Sequence, residues 1–409
     1  MPKNAKFTFH PVGQGLFYSG KIMLLPYRGY EFNFVYDCGS DSGESFLNDS
    51  IDNYRDYLNN DIIDVLFISH LDRDHVNGIK YLIKEKKVKR IYLPYLTPCE
   101  RLFVAIRQRK RDIVNDQEYL EFLKSPHNYI HNLNENISII YINGNSEKEI
   151  ENNNFANENE FTDNLEVGER PNSEDFNNNE IFKKGNGKLF YKNIWEFYLY
   201  HESIGKGNKV FNDKYKNLTK EELIKILDKK GDTFETLYKS KTEKRNKFNF
   251  NKESLVVLHK PITYKTGQLF KHYNDYFIPH YFNRHYCKYC YSKAFRFNEK
   301  NKPKNSWGAT LLTGDIGLNQ IENSLYIKSQ LENVLVFHVP HHGSKTNWKE
   351  QYLDLLNYKG RTIAILSFGY GNTHGHPHHI VLNDLDKENF DIVFCNQFER
   401  FDYLIRVDF

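Results

Sequence analysis

Apolar residues in this chain come in short runs, each closed by a polar or glycine-bearing turn. Phe7 and Phe9 alternate with polar neighbours and lead into Pro11-Val12-Gly13-Gln14-Gly15, a turn-forming stretch. Residues 16–25 and 30–36 are two further strand-like runs, and residues 44–60 carry helical spacing. Residues 62–68 read Ile-Ile-Asp-Val-Leu-Phe-Ile, the signature of a buried strand. Val76, Ile79, Leu82 and Ile83 share one helical face, which predicts a helix over residues 76–86. A strand over 88–93, a long amphipathic helix over 100–124 and a strand over 137–142 follow.

The pattern then breaks. Residues 144–188 are rich in Asn and Glu and poor in aliphatics, which predicts a long mobile insertion with no core of its own. Aromatic alternation returns in residues 191–200, a strand pattern. Thr219-Lys220-Glu221-Glu222 is a capping box opening a helix to residue 230. Residues 248–259 read as a strand, with 309–313 as its partner. Between them lies an aromatic, His- and Cys-bearing excursion. The expected organisation is a single domain over residues 1–409 with two insertions, 144–247 and 261–305.

Chemistry gathers where hydrophobic runs end. The run 62–68 is followed by Ser69-His70-Leu71-Asp72-Arg73-Asp74-His75, which packs two imidazoles and two carboxylates into one loop. That donor set suits zinc, manganese or iron, and one such loop can serve two neighbouring ions. The plainer reading of this loop is a polar turn whose Asp caps a helix. Three later runs end alike: Ala309-Thr310-Leu311-Leu312-Thr313 before Gly314-Asp315, Val334-Leu335-Val336-Phe337 before His338-Val339-Pro340-His341-His342-Gly343-Ser344, and residues 362–366 before a loop with His374, His376 and His378. Binding sites of layered α/β proteins assemble at strand C-termini. Four strand ends carrying metal-type ligands therefore converge on one site.

Composition narrows the setting. The 409 residues are 39% hydrophobic with a formal net charge of +3, enough for a sizeable core and too balanced to demand a nucleic-acid partner. Basic clusters lie at Lys84, Lys86, Lys87, Lys89 and Arg90, at Arg101, Arg107, Arg109, Lys110 and Arg111, and at Lys239, Lys241, Lys244, Arg245 and Lys247. Each taken alone reads as a solvated helix face. The five cysteines, Cys38, Cys99, Cys287, Cys290 and Cys395, are scattered and odd in number, which speaks against a disulfide framework. Residues 1–6 have no signal-peptide core and no apolar run reaches a membrane span's length, so a cytoplasmic protein without membrane association is expected.

Taken in order, these motifs resemble the metallo-β-lactamase fold superfamily. The nearer likeness is to the branch containing the hydrolase domain of the DNA-uptake protein ComEC. The matching residues are Val12-Gly13-Gln14-Gly15, Asp37 in Tyr-Asp-Cys-Gly-Ser, the Ser69-to-His75 loop, Asn251-Lys252-Glu253-Ser254-Leu255-Val256, Leu312-Thr313-Gly314-Asp315, Val339-Pro340-His341-His342-Gly343-Ser344, the Gly-x-x-Asn of Gly369 and Asn372, and Gly375-His376-Pro377-His378. The likeness covers residues 1–145 and 248–409. It implies an α/β fold, a four-layer αββα sandwich with the insertions rimming the site. It also implies two divalent metal ions, zinc or manganese. His70 and Asp72 would hold one ion, Asp74 and His75 the other, with Asp315 bridging. A histidine of the pair His341/His342, His342 by preference, would complete the second position. Asp37 would steady the loop from beneath. Asp74 and His376 are the implied catalytic residues, and His374, His378, Ser344 and Lys345 the substrate contacts. The chain departs from the wider superfamily in having Asp72 where a histidine is usual. The separate histidine of the first position has no evident match; His127 and His131 lie nearby in polar sequence.

The function the resemblance implies is a metal-dependent hydrolase, a phosphodiesterase or nuclease with nucleic acid as substrate. Two alternatives stay open: hydrolysis of a small ester, lactone or cyclic nucleotide, and a metal-stabilised non-catalytic sensor or interaction module whose insertions meet a protein partner. In the second insertion, His280, His285, Cys287 and Cys290 have the spacing of a structural zinc site. A lone Cys-x2-Cys reads equally well as a reduced thiol pair.

Overall fold

Two large mixed sheets and the helices between their strands make up the molecule. The computed structural model describes residues 2–24, 31–58, 62–85, 87–108, 116–143, 161–172, 174, 176, 180–192, 194–201, 215, 217–228, 254–262, 266–272, 308–321, 325–331, 334–346, 348–356 and 362–408. The chain opens with the antiparallel strands β1 (Pro2–Phe9), β2 (Phe17–Leu24) and β3 (Glu31–Cys38). Helix α1 (Glu44–Tyr57) leads to β4 (Ile62–Phe67), which pairs parallel with β3. Helices α2 (Arg73–Val76) and α3 (Ile79–Glu85) cross to β5 (Lys87–Pro94). Helices α4 (Pro98–Gln108), α5 (Gln117–Lys124) and α6 (Pro126–Leu133) cross to β6 (Ser138–Ile142).

Strands β7 (Phe161–Asp163), β8 (Glu180–Lys183), β9 (Gly187–Tyr191) and β10 (Trp195–Tyr200) follow, then helix α7 (Lys220–Asp228). Next come β11 (Val256–Pro261), β12 (Thr266–His272) and β13 (Ala309–Leu312). Helices α8 (Leu318–Ile321) and α9 (Leu325–Leu331) precede β14 (Val334–His338) and β15 (Ile363–Ser367). Helix α10 (His379–Lys387), β16 (Asp391–Cys395) and β17 (Phe401–Asp408) close the chain. Strand order is β12-β17-β1-β2-β3-β4-β5-β6-β8 in one sheet and β16-β15-β14-β13-β11-β10-β9-β7 in the other.

Strand β4 shows why its sequence is a continuous apolar run. Val65 and Phe67 enter a core cluster with residues of both sheets, including Phe197, Val257, Leu312, Val336 and Ile365. Leu66 points the other way and, with Ile63 at the start of the strand, joins a cluster with Leu47, Leu82, Leu102 and Leu223 from the helices. A third cluster joins Leu311, Phe337 and Leu366 to Ile321, Leu331 and Leu385. Both faces of the central strands are thus covered, and parallel strands covered on both faces lose the polar alternation. Each such buried side chain contributes about 1.5–3 kcal/mol of transfer free energy.

Several expectations change. The helix predicted over 100–124 is two helices: α4 ends at Gln108, and α5 starts afresh with Asp116 accepting a cap bond from the Tyr119 amide at 3.0 Å. The polar stretch 144–188 is not wholly outside the core. Strand β8 extends the first sheet beside β6, and β7 pairs with β9 in the second. It is anchored by aromatics: Phe182 packs on Tyr141 with ring centroids 5.3 Å apart, and Phe176 on Phe182 at 4.9 Å. From the second excursion, β12 pairs along β17 at the sheet edge. The proposed zinc ligands His280, His285, Cys287 and Cys290, and the basic run 239–247, lie outside the described residues. The cysteines Cys38, Cys99 and Cys395 are buried free thiols. Among the described residues no helix is long and apolar enough to cross a membrane.

Candidate metal centre

The site is built at the C-terminal ends of β3, β4, β13, β14 and β15. Asp37, near the end of β3, is fully buried and holds a left-handed backbone with φ of 56°. Its carboxylate collects the loop after β4. Oδ1 accepts the Ser69 amide at 2.6 Å, and Oδ2 accepts the Ser69 hydroxyl at 2.6 Å and faces His75 Nδ1 at 2.8 Å. His341 and His342 are also left-handed, with φ of 50° and 55°. Non-glycine residues in that region cost about 1–3 kcal/mol each and collect where surrounding structure over-determines them.

The glycine motifs supply close approach. A Cβ on Gly15 would stand 2.5 Å from the Asp74 carbonyl oxygen, and one on Gly39 would stand 2.6 Å from the His75 amide nitrogen. Only glycine lets these backbones touch the ligand loop. The first turn also locks onto the loop after β15: the Ser367 hydroxyl donates to the Gly15 carbonyl at 3.0 Å, and the Gly369 amide donates to Gln14 Oε1 at 3.3 Å.

Hydrogen bonding fixes the tautomers. His75 Nδ1–H has the Asp37 carboxylate as acceptor. His342 Nδ1 donates to the Ser367 carbonyl at 2.8 Å. His70 Nδ1 meets the Ser69 hydroxyl at 2.8 Å, and that hydroxyl already donates to Asp37, so the imidazole is the donor. Each ring therefore turns its Nε2 inward. These Nε2 atoms, with Asp315 Oδ1, are buried and make no hydrogen bond. They point at one another across short gaps: His75 Nε2 to Asp315 Oδ1 is 3.6 Å, His70 Nε2 to Asp315 Oδ2 is 3.7 Å, and His342 Nε2 to Asp74 Oδ2 is 3.3 Å. Two buried groups, His70-His75-Asp315 and Asp74-His75-His342, keep their ligand atoms within 4.8 Å of one another.

Buried polar atoms are normally paired. Lone pairs left converging from imidazoles held by carboxylate and carbonyl acceptors are the arrangement that holds a transition or divalent metal. Electrostatics agree. Burial lowers the proton affinity of His75, but Asp37, Asp74 and Asp315 outweigh it and carry the pKa to about 10, so without a metal its Nε2 holds a proton that a bound cation would displace. Burial opposes ionisation of Asp315, yet His341, His70, His75 and His342 hold its carboxyl well below the usual range. Burial, then the neighbouring His75, pushes His70 down.

The other expected residues divide. His341 stands at the open side, its Nε2 3.7 Å from Asp315 Oδ2, so both members of the His341/His342 pair reach the site. Asp72 lies 3.8 Å from His70 Nε2 through one oxygen, while its other oxygen pairs with Arg107. The ring of His376 sits 5.5 Å from that of His341 and 6.3 Å from that of His342, and its Nδ1 is buried without a hydrogen bond. Asn372 holds this loop through the amides of His374 and His376 at 3.0 and 3.1 Å. Burial and the neighbouring histidines push His376 down to about 3, so the ring is neutral at ordinary pH.

His374 is exposed, 5.7 Å from His376, and His378 accepts the Ile380 amide at 3.2 Å, capping α10 rather than facing the ligands. Ser344 accepts the Thr346 amide at 3.2 Å, and Lys345 is exposed. His127 and His131 are not at the site: His127 meets Ser125 at 3.1 Å, and His131 pairs with Glu180 at 2.8 Å. Their place is the helix α6, whose Pro126 start is a readable signal. Ser254, in the run before β11, also belongs to the site. It accepts the Asp315 amide at 3.1 Å and lies 3.5 Å from His70 Nδ1.

No protein-family model matches the chain, and no curated protein matches it.

Proposed function

We propose that this chain is a metal-dependent hydrolase of the metallo-β-lactamase αββα class that cleaves phosphodiesters, with nucleic acid as its substrate. The observation that carries the reading is the convergence of the Nε2 atoms of His70, His75 and His342 with Asp315 Oδ1. Asp74, His75, His342 and Asp315 would hold one ion, and His70, Asp72 and Asp315 a second. Zinc or manganese bound there supplies Lewis acidity and lowers the pKa of a coordinated water.

The residues do the rest. Asp37, Ser69 and the Ser367 carbonyl keep each imidazole in the tautomer that ligates. A carboxylate oxygen of Asp74 takes the proton released by the attacking water. His376 has no spare proton at neutral pH, so it holds a substrate oxygen with its single N–H rather than protonating the leaving group. A cleft of about 920 Å³ lined by Lys84, Lys87, Lys89 and Arg90 opens at the start of β5, the opposite end of that strand from the ligands, and Lys89 there pairs with Asp64 at 2.7 Å, so the preference for nucleic acid rests on the motif likeness and not on this cleft.

The test is a cleavage panel of single- and double-stranded DNA and RNA with Mn²⁺ or Zn²⁺, run beside bis-p-nitrophenyl phosphate and simple esters. Hydrolysis of nucleic acid that is lost in Asp74→Ala/His75→Ala supports the reading. Intact substrates under every metal, or activity surviving that double substitution, overturns it.

A further inference from the structure

Asp72 is the odd member of the ligand loop. It occupies the N-cap position of α2 with an extended backbone, yet its side chain makes no cap bond. Its carboxylate is spent elsewhere. One oxygen lies 3.8 Å from His70 Nε2, and the other pairs with the guanidinium of Arg107 in the last turn of α4. Both groups are largely withdrawn from water, with side-chain exposures of 9% for Asp72 and 23% for Arg107. A guanidinium stays charged at every accessible pH. It therefore cancels the charge that Asp72 would offer to a divalent ion, and it repels that ion across a short, poorly screened gap.

The Asp74-His75-His342 group has a different surround. His75 and His342 are backed by acceptors, Asp37 and the Ser367 carbonyl, and Asp74 faces His342. Carboxylate and carbonyl acceptors raise the basicity of a ligating imidazole. The two halves of the centre thus differ in what stands beside their carboxylate.

We propose that Arg107 is a positioning residue that sets the order in which the centre fills: the Asp74-His75-His342 position loads first, and the His70-Asp72 position binds its ion at least tenfold more weakly because Arg107 holds Asp72. This rests on the metal-centre reading above. Titration of the full, metal-stripped chain with Mn²⁺, followed by calorimetry and by electron paramagnetic resonance of free Mn²⁺, tests it without substrate. The expected result is one tight step and one at least tenfold weaker. Arg107→Gln tightens the weak step tenfold or more and leaves the tight step unchanged. Arg107→Lys, which keeps the cation, retains a separation of at least tenfold, and Asp72→Asn removes the weak step alone. Two equally tight steps in the unsubstituted chain overturn the proposal whether or not a variant folds, and so does a weak step that Arg107→Gln leaves where it was. A folded chain that binds no Mn²⁺ at all instead overturns the metal-centre reading itself.

Discussion

Two buried polar clusters can be set side by side in this molecule. Between the sheets, His259 Nε2 meets the Tyr18 hydroxyl at 2.8 Å, and its Nδ1 accepts Trp195 Nε1–H at 3.3 Å. Tyr18 passes the chain to Tyr403 at 2.8 Å, and Tyr403 to Thr310 at 2.6 Å. Both nitrogens of that imidazole are used. At the strand ends, His70, His75 and His342 are just as buried, but each has one nitrogen tied and the other without a hydrogen bond. Burial and residue type do not separate the clusters. The direction of the lone pairs does: one network closes on itself, and the other is open toward a common point. A closed network stabilises the fold. An open one holds uncompensated charge and donors that a cation satisfies.

The largest effect expected from this contrast is on metal affinity. Asp74→Asn keeps the shape and removes a buried charge. Mn²⁺ binding measured by calorimetry should weaken at least ~100-fold, since even residues that merely orient ligands are worth about 10–100-fold. Thermal unfolding of the metal-free chain should stay unchanged or rise. A metal-free form destabilised as much as by a core substitution would break the comparison. Asp37→Asn comes next. It disturbs the acceptor of Ser69 and His75 without touching a ligand atom, and affinity should fall about 10–100-fold. Tyr18→Phe should do the reverse, costing about 1–3 kcal/mol in denaturant unfolding because His259 and Tyr403 lose a partner. Its Mn²⁺ affinity should equal that of the unsubstituted chain.

Much of the open cluster is legible in the sequence because each candidate ligand follows an apolar run. The runs 62–68, 309–312 and 334–337 are buried on both faces, so their ends can be located by hydrophobicity alone. The closed cluster is not legible that way. Tyr18, His259, Thr310 and Tyr403 come from distant strands, and they meet only because β1 pairs with β2 and β17 in one sheet, β11 pairs with β13 in the other, and the two sheets pack together. Charge is also misread when it is taken from local runs. Arg101 and Arg107 belong to a basic stretch that looks like a solvated face. Yet α4 is buried nearly throughout, Arg101 pairs with buried Glu174 at 2.7 Å, and Arg107 serves Asp72. Glu174 lies in the Asn-rich segment, whose partnership with the core rests on a few aromatic and charged anchors and not on periodicity.

The smallest effect separates the clusters by pH. Burial pushes His259 from 6.5 down to about 3, so its ring is neutral in the fold. His10, bonded to Ser19 at 2.8 Å, is likewise pushed to about 3 by burial, then by Arg400 and Lys6. Between 6.5 and about 3 the unfolded chain takes up protons at these histidines and the folded chain does not. Stability is therefore full above 6.5 and falls as the pH drops through that window. Each group contributes a slope of roughly 1.4 kcal/mol per pH unit well below its unfolded value. His259→Phe removes one of these titrations and leaves that of His10, and those of His338 and His376, which are pushed down to about 3 as well. Urea unfolding of the metal-free chain between pH 6 and pH 4, about the range where the unfolded imidazole charges, should show a shallower decline in this variant by about that slope. Metal affinity at neutral pH should not move, because the ring lies in the closed network. An unchanged decline would mean that His259 is charged inside the core, and with it the claim that the inter-sheet network is closed would fall.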